Sequence, residues 1–341
     1  MEDLKNREFI SSPNLKYNSI IKTTDCCFGI NDIFDIYYAQ NENNELYLIS
    51  ADENFTIAIT RIRDNKFVKS LGNNNEKIRM IRHFNNKNNN IDYLIVSFNK
   101  CLVKIWDLTN NYNLIHSFKI EYSENAVIYS CLLYFSKNNG DYIITSSNES
   151  DNNDYTKIYD FNDRSLIKNL EKTNLVDIFY LLLWNKNNDI EDDYLIQCSH
   201  SSVLIHSLKT KEEKCLLKAQ NSTIHNSACI IKQKDVDYLY VVNVNGKIHI
   251  WNLNDFALKG IIIFKKSYFY HIINWNNKYI IVAEKSNGLI LIIDTTCDKV
   301  VTVLSNIDGN FVNSLKKIYH PKYGESLLSY DFSKKIILWS Q

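Results

Sequence analysis

The stretch Leu102-Val103-Lys104-Ile105-Trp106-Asp107-Leu108 returns as Lys247-Ile248-His249-Ile250-Trp251-Asn252-Leu253 and again as Lys335-Ile336-Ile337-Leu338-Trp339-Ser340. Each copy is an apolar run closed by tryptophan and a small polar residue. The tryptophans lie 145 and then 88 residues apart. Those gaps are close to three and two multiples of one unit in the range of roughly 40 to 50 residues typical of repeat architectures. Intermediate copies are therefore expected. Aligned on the tryptophan, the equivalent positions are Thr60, Trp106, Tyr159, His206, Trp251, Ile293 and Trp339, spaced by 46, 53, 47, 45, 42 and 46 residues.

A second apolar run precedes each of the seven: Leu46–Ser50, Tyr93–Ser97, Tyr142–Ser146, Tyr194–Cys198, Tyr238–Val242, Tyr279–Ala283 and Ser326–Ser329. These runs are short, rich in β-branched and aromatic residues, and bounded by Asn, Asp and Gly, which marks strands. Their hydrophobicity is nearly continuous, as for a strand covered on both faces. Asn245-Gly246 and Asn287-Gly288 join the two runs; read as two-residue hairpin turns, they would hold both central positions at positive φ. More polar segments such as Lys211–Leu217 and Asp298–Leu304 suit an exposed outer strand, and apolar segments such as Ala126–Tyr134, Val176–Trp184 and Tyr268–Trp275 suit an inner one. Four antiparallel strands per unit, repeated radially seven times, predict an all-β seven-bladed β-propeller. Helix-pair solenoids would need a 3.6-residue apolar period, which these runs lack.

The chain stops two residues after Trp339, leaving the seventh unit without an outer strand, while Leu15–Lys22 precedes the first inner strand (Phe28–Tyr38) with no sheet of its own. Residues 15–23 are therefore expected to complete the last blade and close the ring. Residues 15–341 then form one propeller, and residues 1–14 a flexible arm.

Bulk composition narrows the function. Lys plus Arg and Asp plus Glu both number 39, so no net field draws the chain to nucleic acid or an anionic membrane. The amino terminus has no signal-peptide core and no apolar run reaches the length of a membrane span, so an intracellular, cytoplasmic location is expected. Cysteines 26, 27, 101, 131, 198, 215, 229 and 297 show neither metal spacing nor a Cys-x-x-Cys pair, and read as reduced thiols, most of them in apolar runs. The 45% apolar content can support a sizeable core. Asparagine runs such as 73–75 and 85–90 read as loop filler.

These residues resemble the WD40-repeat family, whose blades end their third strand in an apolar-Trp-Asp signature. Trp106-Asp107 carries it intact; Trp251-Asn252, Tyr159-Asp160, Ile293-Asp294 and Trp339-Ser340 keep part of it, and Thr60 and His206 neither half. The family's Gly-His pair is absent throughout. The resemblance implies a degenerate WD40-like propeller whose polar network is incomplete, leaving packing between blades to hold the ring. Tyr319-His320-Pro321-Lys322-Tyr323-Gly324-Glu325 is similar to a segment of WD-repeat proteins from unicellular eukaryotes, which implies such a source; Pro321 and Gly324 should shape a turn there.

No phosphate loop, His-Glu-x-x-His, Gly-x-Ser-x-Gly or metal-spaced cluster occurs, so neither an enzyme nor a cofactor is expected. The scattered histidines, His206 and His249 among them, read as satisfied strand residues. The paired-arginine motif of phosphoinositide-binding propellers is missing, which makes lipid binding a minor alternative, beside an enzyme working in the central channel. Protein recognition is the favoured reading, as an interaction scaffold or assembly subunit. On the face shared by the loops from fourth to first strands and from second to third strands, the candidate contacts are Phe28, Phe55, Arg79, Phe98, Lys100, Tyr155, His200, Lys265, Lys266, Tyr268, Lys285, Phe311 and Phe332. Lys265–Tyr270 is the segment of first choice. The acidic insertion 148–154 could dock a basic partner, though it reads more simply as a polar loop.

Overall fold

Backbone hydrogen bonds sort the chain into seven four-stranded antiparallel sheets. The computed structural model describes residues 13–23, 34–39, 45–51, 56–73, 76–122, 126–147, 156–170, 178–186, 193–200, 202–218, 225–306 and 309–341. Blades one to six span residues 34–73, 78–119, 128–170, 178–218, 225–263 and 269–305, and blade seven joins residues 312–340 to 16–23. Within blades one to six the strands run in sequence from inner to outer edge.

The seven copies align residue for residue. Second and third strands pair as Leu48 with Thr60, Leu94 with Trp106, Ile143 with Tyr159, Leu195 with His206, Leu239 with Trp251, Ile280 with Ile293 and Leu327 with Trp339. In blades one to six the register of the third strand on the fourth slips immediately before this position. A slip repeated in the same place is a built bulge that adds twist.

The small polar residue after the tryptophan position has a local job. Asp107 Oδ1 accepts the backbone N–H of Thr109 and of Asn110, both at 2.9 Å. Asp160 accepts from Asn162 at 2.8 Å, Ser207 Oγ from Thr210 at 3.2 Å, Asn252 from Asn254 at 2.8 Å and Asp294 from Thr296 at 2.8 Å. Any short acceptor can cap this turn, which is why the erosion of Asp to Asn or Ser leaves the turn intact. In blade one Arg61 stands there and holds the turn through Asp64, at 3.0 and 2.6 Å.

Packing joins the blades. Six apolar clusters each span neighbouring blades, and together they cover all seven junctions. Burying a Leu or Ile side chain contributes about 1.5–3 kcal/mol, so these interfaces are the main favourable term. A thin polar layer adds to them around the inner strands: Met80 Sδ accepts from Cys131 N at 3.4 Å, Ser130 Oγ from Leu181 N at 3.2 Å, Ser227 Oγ from Ile272 N at 3.4 Å and His271 Nδ1 from Leu315 N at 3.3 Å. At the first junction Asp35 does the same for His83 N at 2.8 Å.

Blade seven closes with the amino-terminal strand. Lys16–Thr23 pairs antiparallel with Lys335–Ser340, Tyr17 opposite Trp339 with their rings 6.1 Å apart edge-on, and Asn18 Nδ2 donates to Ser340 Oγ at 2.8 Å. Lys316 meets Asp35 at 3.2 Å and Tyr319 N donates to Tyr38 Oη at 2.7 Å, tying blade seven to blade one. Of the expected arm, residues 1–12 lie outside the described residues.

Two expectations need correction. The turns at Asn245-Gly246 and Asn287-Gly288 hold only the glycine at positive φ, +68° and +64°. The loops are longer than two residues: in the first, Asn243 Oδ1 accepts from Asn245 N and Lys247 N and folds a three-residue connection, residues 244–246, with one left-handed position. Both glycines are obligatory, because a Cβ would lie 2.3 Å from Phe264 O at Gly246 and 2.4 Å from Asn310 O at Gly288. Apolar runs also overreach at inner strands, which begin at Ile128 and Phe269. Pro321 and Gly324 do flank the turn between the first two strands of blade seven.

Free thiols include Cys101, Cys131, Cys198 and Cys229, all buried. Burial pushes Cys131 and Cys198 up to about 12, so they stay protonated and inert. Cys297 is exposed, and Cys26 and Cys27 lie outside the described residues.

Candidate functional site

In blades two to seven the inner strand slips by one residue where it starts to pair with the second strand, between Ile78 and Met80, Ile128 and Ser130, Ile178 and Tyr180, His225 and Ser227, Phe269 and His271, and Val312 and Ser314. A bulge re-aims the side chain it skips. Those side chains are Arg79, Tyr129, Phe179, Asn226, Tyr270 and Asn313, one per blade around the mouth of the channel on the loop face. Where the turns at the far rim repeat one chemistry, these six are mostly different.

On blades two to four the mouth is closed by its own contacts. Arg79 Nε donates to Asn99 Oδ1 at 2.6 Å. The Phe179 ring lies 5.0 Å from that of Tyr129, tilted by 38°, and 5.2 Å edge-on from His200. Lys100, in a left-handed conformation at φ 55°, reaches Glu76 at 3.0 Å. Deeper in the channel the Arg82 guanidinium lies 4.9 Å from the Tyr180 ring centroid and donates to Leu181 O of blade four at 3.2 Å.

The sector from the end of blade five to blade seven is open. Lys265 and Lys266 are exposed, Tyr268 is 52% exposed, and Phe311 and Phe332 are 36% and 47% exposed. These loops are locked to one another. Lys285 N donates to Tyr268 O at 2.7 Å, Asn306 N to Gly288 O at 3.1 Å and Phe332 N to Phe311 O at 2.9 Å. Asn306 Nδ2 bridges Asn310 O at 3.0 Å and Asp331 Oδ2 at 2.8 Å. Lys285 Nζ sits 3.1 Å from Tyr270 Oη and 4.8 Å from its ring centroid, and the Phe311 and Phe332 rings meet edge-on at 5.7 Å. Both acids of the sector face inward. Glu284 accepts from the N–H groups of Ser286 at 3.0 Å and Asn287 at 2.8 Å, and Asp331 Oδ1 from Ser333 Oγ at 2.6 Å and Lys335 N at 3.0 Å.

The structure thus gathers Lys265, Lys266, Tyr268, Lys285, Phe311 and Phe332 into one sector and leaves Arg79, Lys100 and His200 on the other side of the mouth. Phe98 is a correction: it is 0% exposed in the core between blades one and two, so it packs and cannot contact a partner. Its equivalents, Ser147, Ser199, Asn243, Glu284 and Asp331, are the polar last or near-last residues of the second strands, and a phenylalanine at the same place turns inward. Phe28, Phe55, Tyr155 and the insertion 148–154 lie outside the described residues. Tyr129, Phe179, Asn226 and Asn313 were missed, and Tyr270 entered only as the end of the segment of first choice, because a one-residue bulge leaves no mark in an apolar run.

No protein-family model and no curated protein matches this chain. Many solved structures do, and two of them illustrate the likeness. One is described as BBS1N in complex with ARL6DN, soaked with mercury; the other is the same complex soaked with lead. They share 9% and 11% identity with this chain, each at a TM-score of 0.72 over 97% of this chain and 98% of theirs. The likeness is one of fold. It bears on the whole ring and on no side chain of the mouth, whose chemistry has to be read from this chain alone.

Among the described residues no group of three or more His, Cys, Asp and Glu is placed to hold a metal ion. A cavity of about 470 Å³ lies between the inner strands of blades four to six, at the end away from the mouth, walled by Tyr180, Leu182, Ile230 and Ile272. Its rim groups bond to each other, Lys232 Nζ to Asn185 O at 2.9 Å and Asn274 Nδ2 to Ile230 O at 2.8 Å.

Proposed function

We propose that this chain is a non-catalytic propeller, WD40-like in its repeats, that binds another protein through the loop face at blades five to seven, as a scaffold or subunit of an intracellular assembly. The observation that carries the reading is the exposure of Tyr268, Phe311 and Phe332 on loops whose backbones are hydrogen-bonded to one another. Exposed aromatics on a rigid frame bury large areas with little ordering cost, which is what interface hot spots need. The neighbouring BBS1N structures, described as complexes with ARL6DN, support the architecture as one that takes a protein partner.

The test is affinity purification from the native cell with intact protein and with a Y268A/F311A/F332A variant. A protein recovered at fixed stoichiometry with the intact chain and lost with the variant, at an unchanged melting temperature, is the expected result. Equal recovery by both places the interface elsewhere.

A further inference from the structure

We infer that the sector at blades five to seven takes an acidic protein segment carrying aromatic or aliphatic anchors; this rests on the protein-binding reading above. The chain as a whole is neutral, with 39 basic and 39 acidic residues, yet the described residues of this sector turn lysines outward and expose no carboxylate. The ammonium groups of Lys265 and Lys266 are exposed and meet no partner among the described residues, and Lys285 adds a third beside Tyr270. The two acids, Glu284 and Asp331, are buried and spend their oxygens on loop donors, so they offer nothing outward. Among the described residues a ligand therefore meets lysine ammonium groups and aromatic faces with no outward carboxylate beside them. Lysine supplies three donors and no acceptor, which suits carboxylates and repels a basic partner. Phe311 and Phe332, set edge-on, leave their outer faces for an apolar side chain, and Tyr268 offers a third ring beside the lysines.

A protein segment fits better than a membrane. Basic residues near an anionic surface each add only a modest attraction, and stable anchoring needs a second signal. A nucleic acid would call for a longer track of phosphate contacts than three lysines give.

The probe is a fluorescent peptide of repeating Glu-Glu-Phe, with Gln-Gln-Phe and Lys-Lys-Phe peptides as controls, titrated against the full chain. Phosphatidylcholine vesicles containing phosphatidylserine are assayed by co-sedimentation. The expected order is Glu-Glu-Phe tightest and Lys-Lys-Phe weakest, with affinity falling about tenfold in K265E/K266E and weakening with salt. F311A/F332A should weaken the Glu-Glu-Phe and Gln-Gln-Phe peptides alike. If the aromatic variant abolishes binding while charge reversal changes nothing, the acidic preference is overturned and the protein-binding sector stands. If neither variant affects any peptide, both readings fail. Vesicle capture that needs Lys265 and Lys266, without peptide binding, overturns the inference in favour of a lipid surface.

Discussion

The two ends of the propeller are built from the same strands and differ in how much they repeat. At the rim of the turns between third and fourth strands, Asp107, Asp160, Ser207, Asn252 and Asp294 all cap the same turn. At the mouth, the equivalent bulged positions hold Arg79, Tyr129, Phe179, Asn226, Tyr270 and Asn313. Repetition at one end reports a demand of the fold, met wherever an acceptor is short enough. Divergence at the other, on a backbone just as regular, shows that the fold accepts arginine, aromatic and amide side chains alike at this position.

The most drastic way to break the comparison is to remove the ring that both ends share. Deleting residues 1–24 takes away the strand paired with Lys335–Ser340 and should abolish the cooperative melt and soluble expression; a truncated chain melting like the intact one would show that the ring does not depend on that strand. Next comes acid. Burial depresses His206 and His249 to about 4, and Gln197 Nε2 donates to His206 Nδ1 at 2.8 Å, which suits the neutral ring. The unfolded chain takes up protons first, so stability is full above about pH 6.5 and falls as pH drops toward 4, by on the order of 4 kcal/mol for the pair. Urea melts across that range check it, and H249F should flatten the slope.

A smaller effect tests whether the mouth is as rigid as its hydrogen bonds imply. Gly288→Ala must fit a Cβ 2.4 Å from Asn310 O at a φ of +64°, so it should cost about 2–3 kcal/mol; a near-neutral melt would mean that the loops of this sector yield. The direct contrast is smallest and sharpest. Asp107→Ala at the rim should cost about 1–2 kcal/mol in denaturant melts and leave partner capture intact. Tyr270→Ala at the mouth should cost under about 1 kcal/mol and weaken capture. The reverse pattern would dissolve the distinction.

Much of the fold was legible because strands covered on both faces write continuous apolar runs, and seven such runs led mostly by Tyr cannot arise from helices. The orphan strand Leu15–Lys22 was legible by subtraction, since the seventh unit lacked an edge. What the runs could not reveal is where they stop facing inward. Phe98 looked like a loop aromatic and is core, while Tyr129 and Phe179 sat unnoticed within apolar segments although their bulges bring the two rings to 5.0 Å. The expected dependence on packing needs qualification as well. Trp339 Nε1 donates to Ser329 Oγ at 2.8 Å, and Thr156 and His206 both bond Gln197, so fragments of a polar layer persist beside the apolar clusters. Single-residue register shifts leave composition and period unchanged, which is why they were not visible.

The pairing of Tyr17 with Trp339 has a consequence for synthesis. The outer strand of blade seven is made long before the strand it pairs with, so the seventh sheet cannot form until Lys335–Ser340 has been synthesised, however early the other six settle. Until then the growing chain carries two unsatisfied edges, the unpaired strand Lys16–Thr23 and the face of blade one that packs on blade seven. Both are surfaces that chaperones hold. A chain cut short before residues 335–340 would never lose those edges.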